Sequence, residues 1–228
     1  MTVEAIRVVA LVPARDEEVT VALTVEALRG LRVDEVVVVD DGSSDGTSGA
    51  ALAAGATVLR IPGHAGKGGA VEGAIDRLPP ADVWLFADAD LGSSAEGLGS
   101  LLDVVRSGRA DMAVAMFPPQ SGGGMGSVKR ASAAAIRILS RYRAEAPLSG
   151  QRALTAACLA AVRPLASGFG METAMTIDAV RSGFRVVEIP VAGLTHRATG
   201  RTLRGFLHRG RQGLQIARAS MLRAVGLR

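Results

Sequence analysis

Asp88 and Asp90, separated by Ala89, follow the apolar run DVWLFA at 82–87. Two carboxylates two residues apart, where a strand breaks into a loop, can converge on one hard divalent cation. Such an ion prefers oxygen ligands and keeps positions open for phosphate oxygens. That is what a departing diphosphate needs, because charge builds on it as its bond breaks and Mg2+ or Mn2+ neutralises that charge. Without a cation, the two acids would repel each other and any phosphate. PARDEE at 13–18 and DDGSSDGT at 40–47 are acidic in the same way, each after an apolar run. Each segment taken singly has a plainer reading. Asp45 and Thr47 can cap a helix or its turn, Gly42 and Gly46 can be turn residues, and Ser93 or Ser94 can be an N-cap. Three acidic strand ends together are hard to ascribe to capping. PGHAGKGGA at 62–70 adds glycine amides and Lys67 before a helix, a combination that suits a phosphate. It fails the P-loop pattern, since Gly63 and Lys67 are too close and no Ser or Thr follows the lysine.

The elements that must position these groups alternate. RVVALV (7–12), EVVVVD (35–40), TVLRI (57–61) and DVWLFAD (82–88) are short, β-rich and apolar on both faces, as buried parallel strands are. Helical patterns over 16–30, 45–54 and 66–78 lie between them, and a helix at 94–107 and a strand at 110–116 follow. The order predicts an α/β fold with a parallel sheet and helices on both faces. Ligands in such sheets bind beyond the carboxyl ends of the strands, where the acidic segments lie. FPPQSGGGMG (117–126) reads as a loop, 127–142 as a helix and RAEAPLSG (143–150) as a second loop. A helix near 170–182 and a strand at 185–191 come next. From about 201 to 222 the pattern is amphipathic, with Leu203, Leu207, Gly210, Leu214, Ala217 and Met221 on one stripe and Arg201, Arg204, His208, Arg211, Gln215 and Arg218 on the other.

The 228 residues suit one domain with a sizeable core, and with aromatics at 3% that core must be Ala, Val and Leu. The single cysteine, Cys158, cannot close an internal disulfide, which agrees with a reducing cytoplasm. No leader pattern opens the chain and no run approaches the ~18 to 20 apolar residues of a membrane span. Net charge is +4, but the excess is local: no acid follows Glu188, whereas eight arginines do. That asymmetry points to a local anionic contact rather than to nucleic acid. Near the end of the chain, Arg197 and Arg201 are candidates for a diphosphate or an anionic acceptor, and the remaining arginines for an acidic membrane surface. A solvated face over a docking stripe is the plainer reading.

PARDEE, VVVVDDGSSDGT, GKGGA and FADADL, in this order and at these distances, resemble the nucleotide-sugar half of family-two-type glycosyltransferases with the GT-A fold. The resemblance covers roughly residues 5 to 116. It implies that Pro13, Ala14, Arg15 and Glu17 line the base and ribose, and that Asp40 meets the nucleobase and Lys67 the diphosphate. Asp88 would meet the ribose or metal, beside Ala89, and Asp90 the metal. The second half is similar to glucosyl-3-phosphoglycerate synthases and polyprenyl-phosphate sugar transferases. In the former, a glutamate after a Gly-aromatic-Gly turn contacts the donor sugar and a histidine after the last strand completes the metal site; Glu172 and His196 match these positions. The arginine that such synthases carry after a glycine-rich loop has no clear counterpart in SGGGMGSVKR (121–130), where Met125 and Ser127 stand, and Thr173 replaces the aspartate many inverting relatives carry.

From chemistry alone, Glu172 is either a cap or arginine partner, or a general base or acceptor of sugar hydroxyls. His196 is either an exposed histidine beside Arg197 or a neutral imidazole joining Asp90 around Mn2+. Glu172 and Asp90 are the candidate catalytic residues; Asp88, Asp90 and His196 are the candidate ligands for Mg2+ or Mn2+. The expectation is one glycosyltransferase domain, with 1–116 binding a nucleotide-diphosphate sugar and 117–228 an unidentified acceptor: a phosphorylated small molecule or a polyprenyl phosphate. Nucleic acid is not an expected partner; a cytoplasmic location, with room for peripheral contact with the inner membrane face and for a homodimer, is. The alternatives are a nucleotidyltransferase, against which the glycine-free PARDEE counts, and a non-catalytic nucleotide-binding module.

Overall fold

A computed structural model of the chain describes residues 6–61, 63–118, 126–166, 170–195 and 219–223. Seven strands form one sheet: β1 (Val8–Ala14), β2 (Glu35–Asp40), β3 (Thr57–Arg60), β4 (Val83–Phe86), β5 (Met112–Met116), β6 (Arg152–Thr155) and β7 (Val186–Pro190). Their order is β3-β2-β1-β4-β6-β5-β7. All pairings are parallel except those of β6, which runs antiparallel between β4 and β5. The expected parallel sheet is therefore mostly parallel, with one reversed strand in its interior.

Why the strands are apolar on both faces follows from their cover. Val8, Ala10 and Val12 of β1 point with Val36, Val38 and Leu85 to one side, where α1 (Val21–Arg29), α2 (Thr47–Ala53) and α4 (Gly99–Arg106) pack. Val9 and Leu11 point with Val37, Val39 and Phe86 to the other, under α3 (Gly66–Ile75), α6 (Ala156–Val162) and α7 (Met171–Arg181). Successive side chains of a strand alternate between faces, so a sheet buried on both sides must be apolar throughout. The fifteen-residue α5 (Gly126–Ser140) packs on α7.

The structure departs from the sequence pattern in four places. Helix α1 starts at Val21, not 16, because Asp16 has φ 54°, a left-handed backbone that no helix continues through. The 94–107 helix is a 3-10 segment, Gly92–Leu98, followed by α4. Strand β6 and helix α6 occupy 152–162, where the sequence pattern gave neither. At 219–223 the chain is helical, but Ala219 and Arg223 face inward while Met221 is 71% exposed. A buried ion pair between Arg223 and Asp178 of α7, 2.7 Å long, sets that rotation, so over this last turn the expected apolar stripe is not the docking face. No helix among the described residues is long and apolar enough to cross a membrane.

Candidate active site

The carboxyl ends of β1, β2 and β4 open on one edge of the sheet, and the reversed β6 begins at that same edge. Phe86 lies opposite Arg152 in the β4–β6 pairing, so continuing two residues along each chain sets Asp88 beside Gly150. Gln151 donates from Nε2 to Asp88 Oδ2 at 2.9 Å. Lys67, in the first turn of α3, donates from Nζ to Asp88 Oδ1 at 2.6 Å and to Glu172 Oε1 at 2.9 Å. Glu172 stands in the first turn of α7 and is 4% exposed. Three sequence candidates, 21 and 105 residues apart, thus meet around one ammonium group. Burial opposes the Lys67 charge, but Asp88 and then Glu172 outweigh it and raise its pKa above the usual lysine value. Space for this contact depends on Gly150, since a Cβ there would lie 2.4 Å from Lys67 Nζ.

The lysine is aimed by Asp41. Its carboxylate accepts the backbone N–H groups of Ala65 (2.8 Å) and Gly66 (3.0 Å) and contacts Nδ1 of His64 at 2.6 Å. Two amides at the start of α3 are thereby satisfied by an anion placed at its positive end. Gly42 enables the approach: its φ is +77°, and a Cβ there would come within 2.7 Å of the Gly63 carbonyl oxygen.

Asp40 is fully buried. Its Oδ1 accepts the Ser43 amide at 2.7 Å, its Oδ2 accepts the Ser48 hydroxyl, and Arg60 lies 3.5 Å away. Burial favours the neutral acid, but these hydrogen bonds, with Arg60, hold its pKa below the ordinary carboxylate value. In this structure Asp40 organises the 40–48 loop. The two acidic loops are also laced together: Asp16 accepts the Ser44 amide at 2.8 Å, Glu18 the Gly46 amide at 3.1 Å, and the Glu17 amide donates to Thr47 Oγ1 at 2.8 Å. Asp45 accepts the amide of Thr47 at 3.0 Å, the turn-capping role that its sequence position suggested. Of the expected base-lining residues, Ala14 is buried, Pro13 and Glu17 are half-buried and Arg15 is exposed.

The 88–90 turn is fastened from beneath by Thr24 of α1. Its buried hydroxyl donates to the Ala89 carbonyl at 2.9 Å and accepts the Gly92 amide at 2.8 Å. Ala89 is buried, while Asp88 and Asp90 are half-buried. Their oxygen donors suit Mg2+ or Mn2+. Among the described residues no group of three or more His, Cys, Asp or Glu side chains could hold a metal. His196, the expected third ligand, lies outside the described residues, as do Arg197 and Arg201.

Asp41, Thr24, Gly150 and Gln151 are the site residues that sequence reasoning missed. Asp41 had a visible signal, since it adjoins Asp40 in an acidic motif. The other three had none, because their contacts cross from one element to another.

Comparison with known proteins identifies the family and the fold. The model of "Glycosyl transferase family 2" matches residues 9–161. Glycosyltransferase AglJ of Haloferax volcanii is 30% identical over 187 residues, which cover 79% of this chain and 60% of that protein. Glucosyl-3-phosphoglycerate synthase of Mycolicibacterium paratuberculosis is 30% identical over 193 residues, covering 74% of this chain and 58% of that one. The chain thus spans about three fifths of the length of these curated relatives. A crystal structure of glucosyl-3-phosphoglycerate synthase from Mycobacterium tuberculosis in complex with Mg2+ and UDP superposes with a TM-score of 0.81, at 25% identity, over 98% of this chain and 81% of that one. On its acidic strand ends, its mostly parallel sheet and a family match over most of its length, this chain belongs to glycosyl transferase family 2.

Proposed function

We propose that this chain is a metal-dependent glycosyltransferase that moves a sugar from a nucleotide-diphosphate sugar to a phosphorylated small-molecule acceptor. The observation that carries it is the Lys67 ammonium held between Asp88 and Glu172, next to the 88–90 carboxylates. A single cation between two carboxylates, at the mouth of a sheet built for nucleotides, suits the sugar and diphosphate of a donor.

Residues 13–17 and the 40–47 loop form the nucleotide side, with Asp40 as its buried floor. Mg2+ or Mn2+, held by Asp88, Asp90 and His196, would supply charge neutralisation for the diphosphate as it leaves. Lys67 balances negative charge on the same side and orients the donor through hydrogen bonds. Glu172, buried and already accepting from Lys67, fits the role of acceptor for sugar hydroxyls, with its position fixed before the donor arrives. Arg197 and Arg201 are assigned to the diphosphate or to the acceptor's anionic group. In this reading 1–116 supplies most donor contacts and 117–228 the acceptor contacts. Asp88, Lys67, Gln151 and Glu172 join the two halves.

The phosphorylated acceptor is supported by the similarity to glucosyl-3-phosphoglycerate synthases, one solved with Mn2+, UDP-glucose and phosphoglyceric acid at 25% identity. A polyprenyl phosphate presents the same phosphate, and the arginine-rich, acid-free C-terminal segment suits a membrane surface. The deciding experiment incubates the protein with UDP-, GDP-, ADP- and dTDP-sugars, with and without Mn2+, and measures nucleoside diphosphate release. Release from at least one donor, dependent on Mn2+, is the expected result; no binding and no release from any of them refutes the proposal. Pyrophosphate release from a nucleoside triphosphate and a sugar phosphate would favour nucleotidyl transfer instead. Flotation with anionic liposomes tests the peripheral membrane contact, and sedimentation velocity tests the homodimer.

A further inference from the structure

Beneath the site lies a charged group that the reading above does not use. Arg152, the first residue of β6, is 0% exposed and is the largest fully buried side chain. It lies on the face of the sheet where Met112 and Leu154 pack with Met171 and Met175 of α7. Among the described residues its guanidinium has no ion-pair partner, and its Nη2 has no hydrogen-bond partner at all. Burying a cation without an ion-pair partner is costly, and its hydrogen bonds to Ser149 and Thr176 must offset that cost.

Those contacts lead to the two carboxylates that hold Lys67. Nε donates to the backbone carbonyl of Ser149 at 2.8 Å. The next residue, Gly150, abuts Lys67 and Asp88, and the one after, Gln151, donates to Asp88 Oδ2. Nη1 donates to Thr176 Oγ1 at 2.9 Å. That hydroxyl in turn donates to the backbone carbonyl of Glu172, one helical turn earlier, at 3.1 Å. One rigid guanidinium therefore touches both the loop that braces Asp88 and the helix that carries Glu172. Lys67 spans the gap with contacts of 2.6 and 2.9 Å and has little slack to follow if either support moves. A planar fork with fixed donor directions sets such a spacing better than a flexible ammonium can. The electrostatics agree: burial lowers the Arg152 pKa, and Glu172 is the first of the acids that oppose this, so the arginine sits in the field of the carboxylate it positions.

We propose that Arg152 is a positioning residue: a strut that fixes the distance between Asp88 and Glu172, and so the placement of Lys67. Its consequence for turnover rests on the donor-sugar reading of these residues; the strut itself does not.

Lysine labelling tests the strut without any ligand. The chain contains two lysines, Lys67 and the exposed Lys129 on α5, so Lys129 serves as an internal reference. Reductive methylation followed by peptide mass spectrometry should show Lys67 labelling slowly relative to Lys129 in the wild type. In R152K, which keeps the charge but loses the fork, the Lys67 rate should rise by about tenfold, in line with the loss of outer-shell supports elsewhere. T176V, which removes the relay to Glu172 while leaving the arginine, should do the same, and T176S should restore slow labelling. Circular dichroism and melting identify folded variants; if R152K does not fold, the T176V and T176S pair carries the test. Slow Lys67 labelling in folded T176V, or fast labelling in T176S, overturns the strut. A role through charge alone predicts wild-type labelling in R152K and would also overturn it.

With UDP-glucose and Mn2+, T176V should raise KM and lower kcat, and UDP should bind more weakly as well, because Lys67 is assigned to the diphosphate that UDP carries. Loosened labelling with unchanged UDP-glucose kinetics would leave the strut standing and refute the donor-sugar reading instead.

Discussion

Replacing Gly150 with alanine separates folding from chemistry at this site. A Cβ on Gly150 would stand 2.4 Å from Lys67 Nζ and 2.9 Å from each carboxylate oxygen of Asp88, whereas ordinary contact begins near 3.4 Å. The ammonium must therefore retreat from 2.4 to at least 3.4 Å, a shift of about 1.0 Å. It is the tip of a flexible side chain, and Gly150 does not have a left-handed backbone, so no strained conformation is imposed. The pair it weakens is partly exposed, with a quarter of the Lys67 side chain and a third of the Asp88 side chain open to solvent. The same ammonium also holds the buried Glu172, so the stability cost should reach about 1 to 2 kcal/mol, or roughly 2 to 8 °C in Tm for a chain of this size. Catalysis is less tolerant, because a misplacement of about 1 Å in a positioning group can cost about 100-fold, close to 2.7 kcal/mol of transition-state stabilisation. Initial rates of UDP release from UDP-glucose with Mn2+, alongside a thermal melt, measure both quantities. If Gly150→Ala keeps kcat/KM within about threefold of wild type, the Lys67 position is not used in the reaction. A Tm loss beyond about 10 °C would show instead that the backbone, not the ammonium, gave way.

Asp41→Ala removes a carboxylate that accepts two α3 amides, so it should cost about 1 to 2 kcal/mol in urea unfolding, and turnover should fall further than stability because Lys67 rides on that helix. Thr24→Val leaves the Ala89 carbonyl and the Gly92 amide without their partner; the affinity for Mn2+, followed by fluorescence or calorimetry, should weaken by about tenfold, and an unchanged affinity would remove the 88–90 turn from the metal site. Asp40 has a folded pKa below its ordinary value. Its contribution to stability is therefore complete above the unfolded carboxylate range and is lost as pH falls through the folded value. Urea midpoints measured from pH 6 downward should show an acid-side decline that is shallower in Asp40→Asn. Asp90→Ala should abolish Mn2+-dependent turnover with Tm within about 2 °C of wild type, since the residue lies in a turn outside the core; retained turnover would exclude it as a ligand.

How far the sequence could be read depended on where each signal resided. Strands β1 to β5 and β7 announced themselves because each is a short, mainly apolar run, and the acidic groups at 13–18, 40–47 and 88–90 fell where such strands end. Lys67 and Glu172 were legible as types suited to phosphate and sugar, but nothing local said that they touch. Strand β6 was hidden: RALT opens with a charge, is only four residues long, and runs into the alanine-rich AACLAAV without a turn signal. With it went Gly150, Gln151 and Arg152, whose importance comes from lying beside β4 rather than from any motif. Helix α1 was read too long because PARDEE has helical composition, whereas Asp16 and Glu18 turn aside to hold the 43–46 loop. Long-range pairing outweighed local propensity there.

The reversed strand also decides how the molecule can be divided. Strand β5 lies by position in the half proposed to bind the nucleotide sugar, yet its neighbours in the sheet, β6 and β7, both come from beyond residue 150. A fragment ending at 116 would carry β5 without a strand to pair with and would bare the edge of β4 that β6 now covers, inviting association between copies. The donor and acceptor halves proposed above therefore do not correspond to separate units of architecture. Any attempt to graft one onto another protein must keep β6 in its place.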